Sequence, residues 1–153
     1  MRMRAVICED HSQLRSMLEV IFKRRGYEVF TYSDARRCPL SILPRCPCPA
    51  KTLCADVILS DVQMPGLSGI DFIAELISKC CRCPHLGLMS GRWSPNERTR
   101  AASLGCMLFD KPFSIHQLIS WLERVERTIP RERRLFELDW QPVKGRNPPQ
   151  TRR

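Results

Sequence analysis

Five short apolar, β-rich runs, at residues 4–8, 27–32, 55–59, 85–89 and 106–109, recur along the chain with helical stretches between most of them, and this alternation restricts the fold more than any other feature. Leu14, Met17, Leu18, Ile21 and Phe22 recur at helical spacing and run into Arg24-Arg25-Gly26, a basic last turn with a glycine stop. Ser68 precedes the apolar face Ile70, Ile73, Leu76 and Ile77, and Ser94-Pro95-Asn96-Glu97 carries a cap, a first-position proline and a capping-box glutamate. Ser114 opens a last helix with Ile115, Leu118, Ile119, Leu122 and Val125. Parallel strands joined by right-handed crossovers bury both faces of their sheet, so the pattern predicts a doubly wound α/β domain.

In the flavodoxin-like strand order, 2-1-3-4-5, the ligand crevice opens where the order reverses, at the carboxyl ends of strands one and three. Those strands end in Glu9-Asp10 and in Ser60-Asp61, the latter followed by the turn signal Pro65-Gly66. Three carboxylates brought together repel one another unless a cation shares the site, and loop oxygens with retained water suit Mg²⁺. Ser90 and Lys111 end strands four and five and should face the same crevice, where a hydroxyl and an ammonium suit a phosphoryl group. Taken singly, each residue has a plainer reading: Asp61 and Glu9-Asp10 as caps, Ser90 as a turn residue, Lys111 as a surface lysine.

With 153 residues, 43% hydrophobic and 27% charged, the chain fits one globular domain and a tail. No apolar run approaches the ~20 residues of a membrane span, and Glu9-Asp10 interrupts the first apolar run before it could serve as a signal core. A cytoplasmic protein without membrane contact is expected. Nine cysteines, an odd number without an export signal, are expected to be reduced thiols.

The residues Glu9-Asp10, Ser60-Asp61-Val62-Gln63-Met64-Pro65-Gly66 with Gly69, Met89-Ser90-Gly91 and Asp110-Lys111-Pro112-Phe113 stand in order at successive strand ends. Over roughly residues 3–127 the sequence resembles the receiver domain of two-component response regulators. The resemblance implies that Asp61 is the phosphoacceptor. It makes Glu9 and Asp10 the acid pair, and Asp10, Asp61 and the backbone carbonyl of Gln63 the Mg²⁺ ligands, with Mn²⁺ a possible substitute. Ser90 takes the place of the switch hydroxyl and Lys111 that of the lysine pairing with the phosphoryl group. The implied partners are a sensor histidine kinase or a histidine phosphotransfer protein, followed by an unknown downstream protein, with the chain a monomer or a weak phosphorylation-linked dimer. The implied role is a switched signalling module rather than an enzyme with turnover. A phosphatase with a nucleophilic aspartate would want a second Asp where Gln63 stands.

The sequence departs from the family pattern at three places. Where the family carries an aromatic three residues before the lysine, this chain has Leu108; Phe109, one residue on, should face the other side of the sheet. Its readout would then rest on Ser90 with backbone movement, or on a displaced aromatic such as Trp93. The second departure is an irregular excursion at about residues 35–54, where the second helix should lie; Pro39, Pro44, Pro47 and Pro49 forbid a long helix there. It carries Cys38, Cys46, Cys48 and Cys54, and Cys80, Cys81 and Cys83 come later in the chain; a structural zinc or iron site, a redox-responsive thiol cluster and idle reduced cysteines all fit. The third departure lies beyond the domain at residues 1–129. Residues 130–153 are basic and proline-containing, with seven basic residues against three acidic, and read as an extended or flexible tail whose Leu135, Phe136, Leu138 and Trp140 could dock. That tail supports the alternative of a nucleic-acid-binding regulator, although it is too short for a helix-turn-helix and nucleic acid is the less expected partner.

Overall fold

A computed structural model describes residues 1–112 and 114–144 of the chain. Phe113 of the motif quoted above, and Pro148 and Pro149 of the tail, lie outside the described residues. In chain order the elements are β1 (Met3–Cys8), α1 (Ser12–Arg24), β2 (Tyr27–Tyr32), β3 (Thr52–Leu53), β4 (Val57–Asp61), α2 (Gly69–Ser78), β5 (His85–Ser90), α3 (Pro95–Ser103), β6 (Met107–Asp110), α4 (Ile115–Thr128) and β7 (Arg134–Leu135). Five of the strands form a sheet in the order β2-β1-β4-β5-β6, every neighbouring pair parallel, which is the flavodoxin-like order expected from the sequence. Two-residue β3 and β7 pair in parallel as a second, small sheet.

Side-chain alternation along the strands builds two cores. Ala5, Ile7, Val57, Leu59, Met89 and Phe109 meet α1 and α4 through Leu18, Phe22, Leu118, Trp121, Leu122 and Val125. Val6, Cys8, Ile58 and Leu88 meet α2 through Ile70, Ile73 and Leu76, and Leu108 packs on this second core. Leu108 and Phe109 thus face opposite sides, as strand parity requires. Phe109 meets Trp121 edge to face with ring centroids 5.3 Å apart, which places Trp121 inside the core rather than at its rim.

The helix starts obey the capping signals. Ser68 accepts a bond from the Asp71 N–H, Ser94 forms the full capping box with Glu97, and Ser114 accepts from the His116 N–H. Residues 33–54 contain no α-helix. Two single 3₁₀ turns, Ala35–Arg37 and Pro39–Ser41, occupy the place, the first capped by Asp34 and the second begun by Pro39.

The segment after Pro130, expected to be extended or flexible, is held against the domain as far as its described part reaches. β7 pairs with β3, the Tyr32 hydroxyl donates to the Trp140 carbonyl at 2.6 Å, and the Trp140 ring stacks on Phe30 at 4.9 Å. The physical reason is an arginine that strand periodicity places inside the fold. Arg4 is fully buried, and its guanidinium bonds the Glu28 carboxylate at 2.8 Å and the carbonyls of Cys54 and Phe136 at 3.1 and 2.7 Å. It also lies over the Trp140 ring, 5.4 Å from the centroid. Asp56, also buried, binds the Arg133 guanidinium at 2.6 and 2.9 Å. A buried cation and a buried anion therefore draw on the C-terminal segment for partners.

Candidate functional site

Parallel pairing aligns the ends of β1, β4, β5 and β6, which places Glu9-Asp10, Asp61, Ser90 and Lys111 at one edge of the sheet. Glu9 is fully buried; its carboxylate accepts the His11 N–H at 3.1 Å and the Lys111 ammonium at 2.9 Å. Lys111 Nζ also lies 3.2 Å from Asp61 Oδ2, so one ammonium bridges two acids. Glu9, Asp10 and Asp61 each offer an oxygen within 4.8 Å of the other two. Asp10 is the exposed member and the opening to solvent.

Asp61 is 4% exposed, and its carboxyl is pushed up to about 7 by burial and by the charge of Glu9, while Lys111 pulls it back. One ammonium thus only partly offsets the gathered negative charge. Burial alone would lower Lys111, but its contacts with Glu9 and Asp61 outweigh that and raise it. A cluster with charge left over and oxygen donors converging from separate loops fits a hard divalent cation. The residues able to hold Mg²⁺ are Asp10, Asp61 and Glu9, with loop backbone beside them.

The loop after β4 is shaped by two glycines. Gly66 has φ +79°, and Gly69 packs so closely that a Cβ there would stand 2.1 Å from the Asp61 carbonyl oxygen. Gly69 N–H in turn bonds the Val62 carbonyl at 3.0 Å, closing the turn that carries Gln63.

Ser90 is buried, with its hydroxyl donating to the Gln63 side-chain carbonyl at 2.9 Å and accepting the Arg92 N–H at 2.9 Å. Gln63 also donates to the Arg92 carbonyl at 3.1 Å. The family resemblance gives Gln63 only a backbone role, and no pattern in the sequence marks its side chain as the partner of Ser90. Trp93 packs in the core cluster that includes Leu108 and donates its indole N–H to the Phe109 carbonyl at 3.2 Å. Trp93 is thereby held against β6, one residue from Leu108.

Cys38, Cys46, Cys48 and Cys54, a metal site in one of the readings the sequence leaves open, are not gathered within ligand distance among the described residues. Cys38 lies with Cys8 in the buried core beneath α2, where the neighbouring Cys38 thiol and burial raise the Cys8 thiol well above its usual range. Cys54 instead meets Cys81 from just beyond α2, sulfur to sulfur at 3.9 Å, with Cys46 lining the same cleft and Cys48 packed against the same core. Excursion and helix end meet only in three dimensions, so spacing could not reveal the exchange. Neither zinc nor manganese finds support in the arrangement.

The family model for the response regulator receiver domain matches residues 5–123, and the chain belongs to that family. Among curated relatives it is similar to the transcriptional regulatory protein FixJ of Bradyrhizobium diazoefficiens, 28% identical over 79% of this chain and 55% of the relative. It is likewise similar to the transcriptional regulatory protein PdtaR of Mycobacterium tuberculosis, 28% identical over 78% of this chain and 55% of the relative. The chain spans about half the length of the curated relatives it matches. In fold it resembles the non-phosphorylated HemR receiver domain of Leptospira biflexa, with TM-score 0.68, 22% identity and coverage of 84% of this chain and 97% of that one. It also resembles the chemotaxis protein CheY4 of Vibrio cholerae, with TM-score 0.65, 24% identity and coverage of 82% and 99%. Receiver domains are signalling phosphoacceptors that bind Mg²⁺ at an acidic site and interact with histidine kinases or phosphotransfer proteins. Among the described residues no helix is long and apolar enough to cross a membrane.

Proposed function

We propose that this receiver takes a phosphoryl group onto Asp61 from the phosphohistidine of a sensor kinase or a histidine phosphotransfer protein. The observation that carries the reading is the meeting of Glu9, Asp10 and Asp61 within 4.8 Å with Lys111 bridging Glu9 and Asp61. Asp61 Oδ attacks phosphorus in line with the departing imidazole nitrogen. Lys111, already placed at 3.2 Å from Asp61, holds charge that develops on the transferred oxygens. Mg²⁺ held by Asp10, Asp61 and the Gln63 carbonyl supplies further charge neutralisation when bound. Glu9 keeps Lys111 oriented toward the crevice.

The switch step belongs to Ser90. Its hydroxyl is engaged with Gln63 before phosphorylation, so turning toward a phosphoryl oxygen on Asp61 requires leaving that bond. Trp93, packed against the same core as Leu108 and tied to the Phe109 carbonyl, would report or follow the movement. The output is a change in protein contacts.

Labelling with acetyl phosphate and Mg²⁺ tests the assignment. Wild type is expected to take up acid-labile phosphate and Asp61→Asn to take up none; equal labelling of the two would overturn it. A Ser90→Ala variant is expected to be labelled normally but to lose the phosphorylation-dependent change in Trp93 fluorescence. The transcriptional names of the relatives favour a second reading, binding to duplex DNA. Arg133, one of the tail's basic residues, is committed to Asp56 instead, which favours the protein-contact output. A salt-sensitive shift of duplex DNA that appears only on phosphorylation would reverse that preference.

A further inference from the structure

On the sheet face covered by α2, four thiols lie along the seam between two segments that the receiver chemistry does not use. Cys46, Cys48 and Cys54 come from the excursion and Cys81 from the end of α2. The two segments are sewn together independently of sulfur. The Cys46 N–H donates to the Lys79 carbonyl at 2.9 Å, and the Arg82 guanidinium donates to the carbonyls of Cys48 and Pro49. Helix α2 ends with Cys80 at φ 65°, and the Cys81 N–H turns back to the Leu76 carbonyl at 3.0 Å. That turn leaves Cys80 exposed and directs Cys81 inward, where its sulfur lies 3.9 Å from that of buried Cys54.

The sulfurs are strung out rather than clustered. A tetrathiolate zinc site needs every sulfur within about 3.8 Å of the others. Among the described residues the carboxylate trio is the one group of three or more potential ligands within 4.8 Å of one another. Cys54 instead pairs with Cys81, their sulfurs 3.9 Å apart with either able to donate. Of the two, Cys81 is the less buried and so the more open to an oxidant. The contact with Cys54, with the Cys83 backbone and the Arg82 charge, lowers Cys81 to about 7, while Cys54 is driven upward; Cys48 is lowered as well, to about 6, but the sulfur-to-sulfur contact is that of Cys54 with Cys81. A thiol held partly as thiolate beside a protonated partner is the arrangement of an attacking and a resolving cysteine.

We infer that Cys54 and Cys81 form a peroxide-oxidisable pair, with Cys81 the reacting sulfur and Cys54 the resolving one. The Cys81 thiolate attacks one oxygen of hydrogen peroxide; the O–O bond breaks, the departing hydroxide takes a proton and leaves as water, and Cys81 becomes a sulfenic acid. Cys54 sulfur then attacks Cys81 sulfur, the S–O bond breaks, and the hydroxyl leaves with the Cys54 proton as a second water. Two thiols lose two electrons to one peroxide, and a dithiol reverses the change. The resulting bond ties the residue just after β3 to the end of α2, across the segment that delivers Asp61.

The test is exposure of reduced, chelator-treated chain to hydrogen peroxide, with non-reducing peptide mapping of the product. The expected product has lost two hydrogens, links the Cys54 and Cys81 peptides, and leaves Cys80 open to alkylation. Oxidation of Cys81 is expected to outpace that of exposed Cys80 by about tenfold or more at neutral pH. Cys54→Ser is expected to accumulate a sulfenic acid on Cys81 that a dimedone probe traps. The mapping uses unaltered protein, so it decides even where Cys54→Ser folds poorly. A dominant Cys8–Cys38, Cys46–Cys48 or Cys48–Cys54 link, equal oxidation of Cys80 and Cys81, or zinc retained at one equivalent and blocking oxidation would each overturn the inference.

Discussion

At the scale of single residues, Asp61 carries the sharpest consequence. Its carboxyl is raised in the folded chain from an ordinary value near 3.8 to about 7, by burial first and Glu9 second. Between those values the folded state holds a proton that the unfolded state has released, so stability falls as pH rises through that window and levels off above it. In metal-free buffer, Asp61→Asn is expected to be more stable than wild type at pH 7.5, by on the order of 2 kcal/mol, with the gap closing toward pH 4. Urea melts at the two pH values check this. Gly69 makes the complementary point about space. Gly69→Ala places a methyl 2.1 Å from the Asp61 carbonyl oxygen, and backbone cannot yield as a side-chain tip can. It is expected to cost roughly 1–3 kcal/mol in urea melts and to slow labelling of Asp61. Gly69 belongs to the motif quoted from the sequence, but the atom it makes room for is visible only in the fold.

At the scale of elements, the C-terminal segment works as part of the sheet's support. Arg133 is the ion-pair partner of buried Asp56, and Arg133→Ala is expected to destabilise the domain by about 3 kcal/mol because it strips a buried carboxylate of its cation. Trp140 adds a stacked ring on Phe30, while its own buried indole N–H has no hydrogen-bond partner among the described residues. Trp140→Phe therefore keeps the stack and removes an unpaired donor. It is expected to cost far less than Trp140→Ala, for which the emptied volume implies a loss of roughly 3 kcal/mol. Thermal or urea denaturation of the two variants separates the effects.

At the scale of the whole molecule, the segment after Pro130 and the excursion after β2 complete each other. β3 lies in the excursion and β7 in the tail, so each gives the other its strand partner, and both flank the Arg4 guanidinium. Deletion of residues 130–153 is expected to cost about 4 kcal/mol or more, since it removes partners of two buried charges and a stacked ring together. A deletion that melts within a degree or two of the full chain would show that segment to be an appendage.

Much of this molecule is legible in its sequence, for a local reason in each case. Apolar runs and caps are set by neighbours a few residues apart, so the five principal strands, the α-helices after Ser68, Ser94 and Ser114, and the strand-end placement of Glu9, Asp10, Asp61, Ser90 and Lys111 can be read from order and spacing. The opposed faces of Leu108 and Phe109 come from strand parity. Bonds that join distant segments are not legible. Nothing near Gln63 in the chain points to Ser90, nothing near Cys81 points to Cys54, and a basic residue such as Arg133 looks solvated until Asp56 is seen buried beside it. Local periodicity suffices to set the alternation of strand and helix and the chemistry at each strand end. Which side chains share a bond, and that the C-terminal segment belongs to the fold, emerges only in three dimensions, because burial of Arg4 and Asp56 demands partners that the chain supplies from far away.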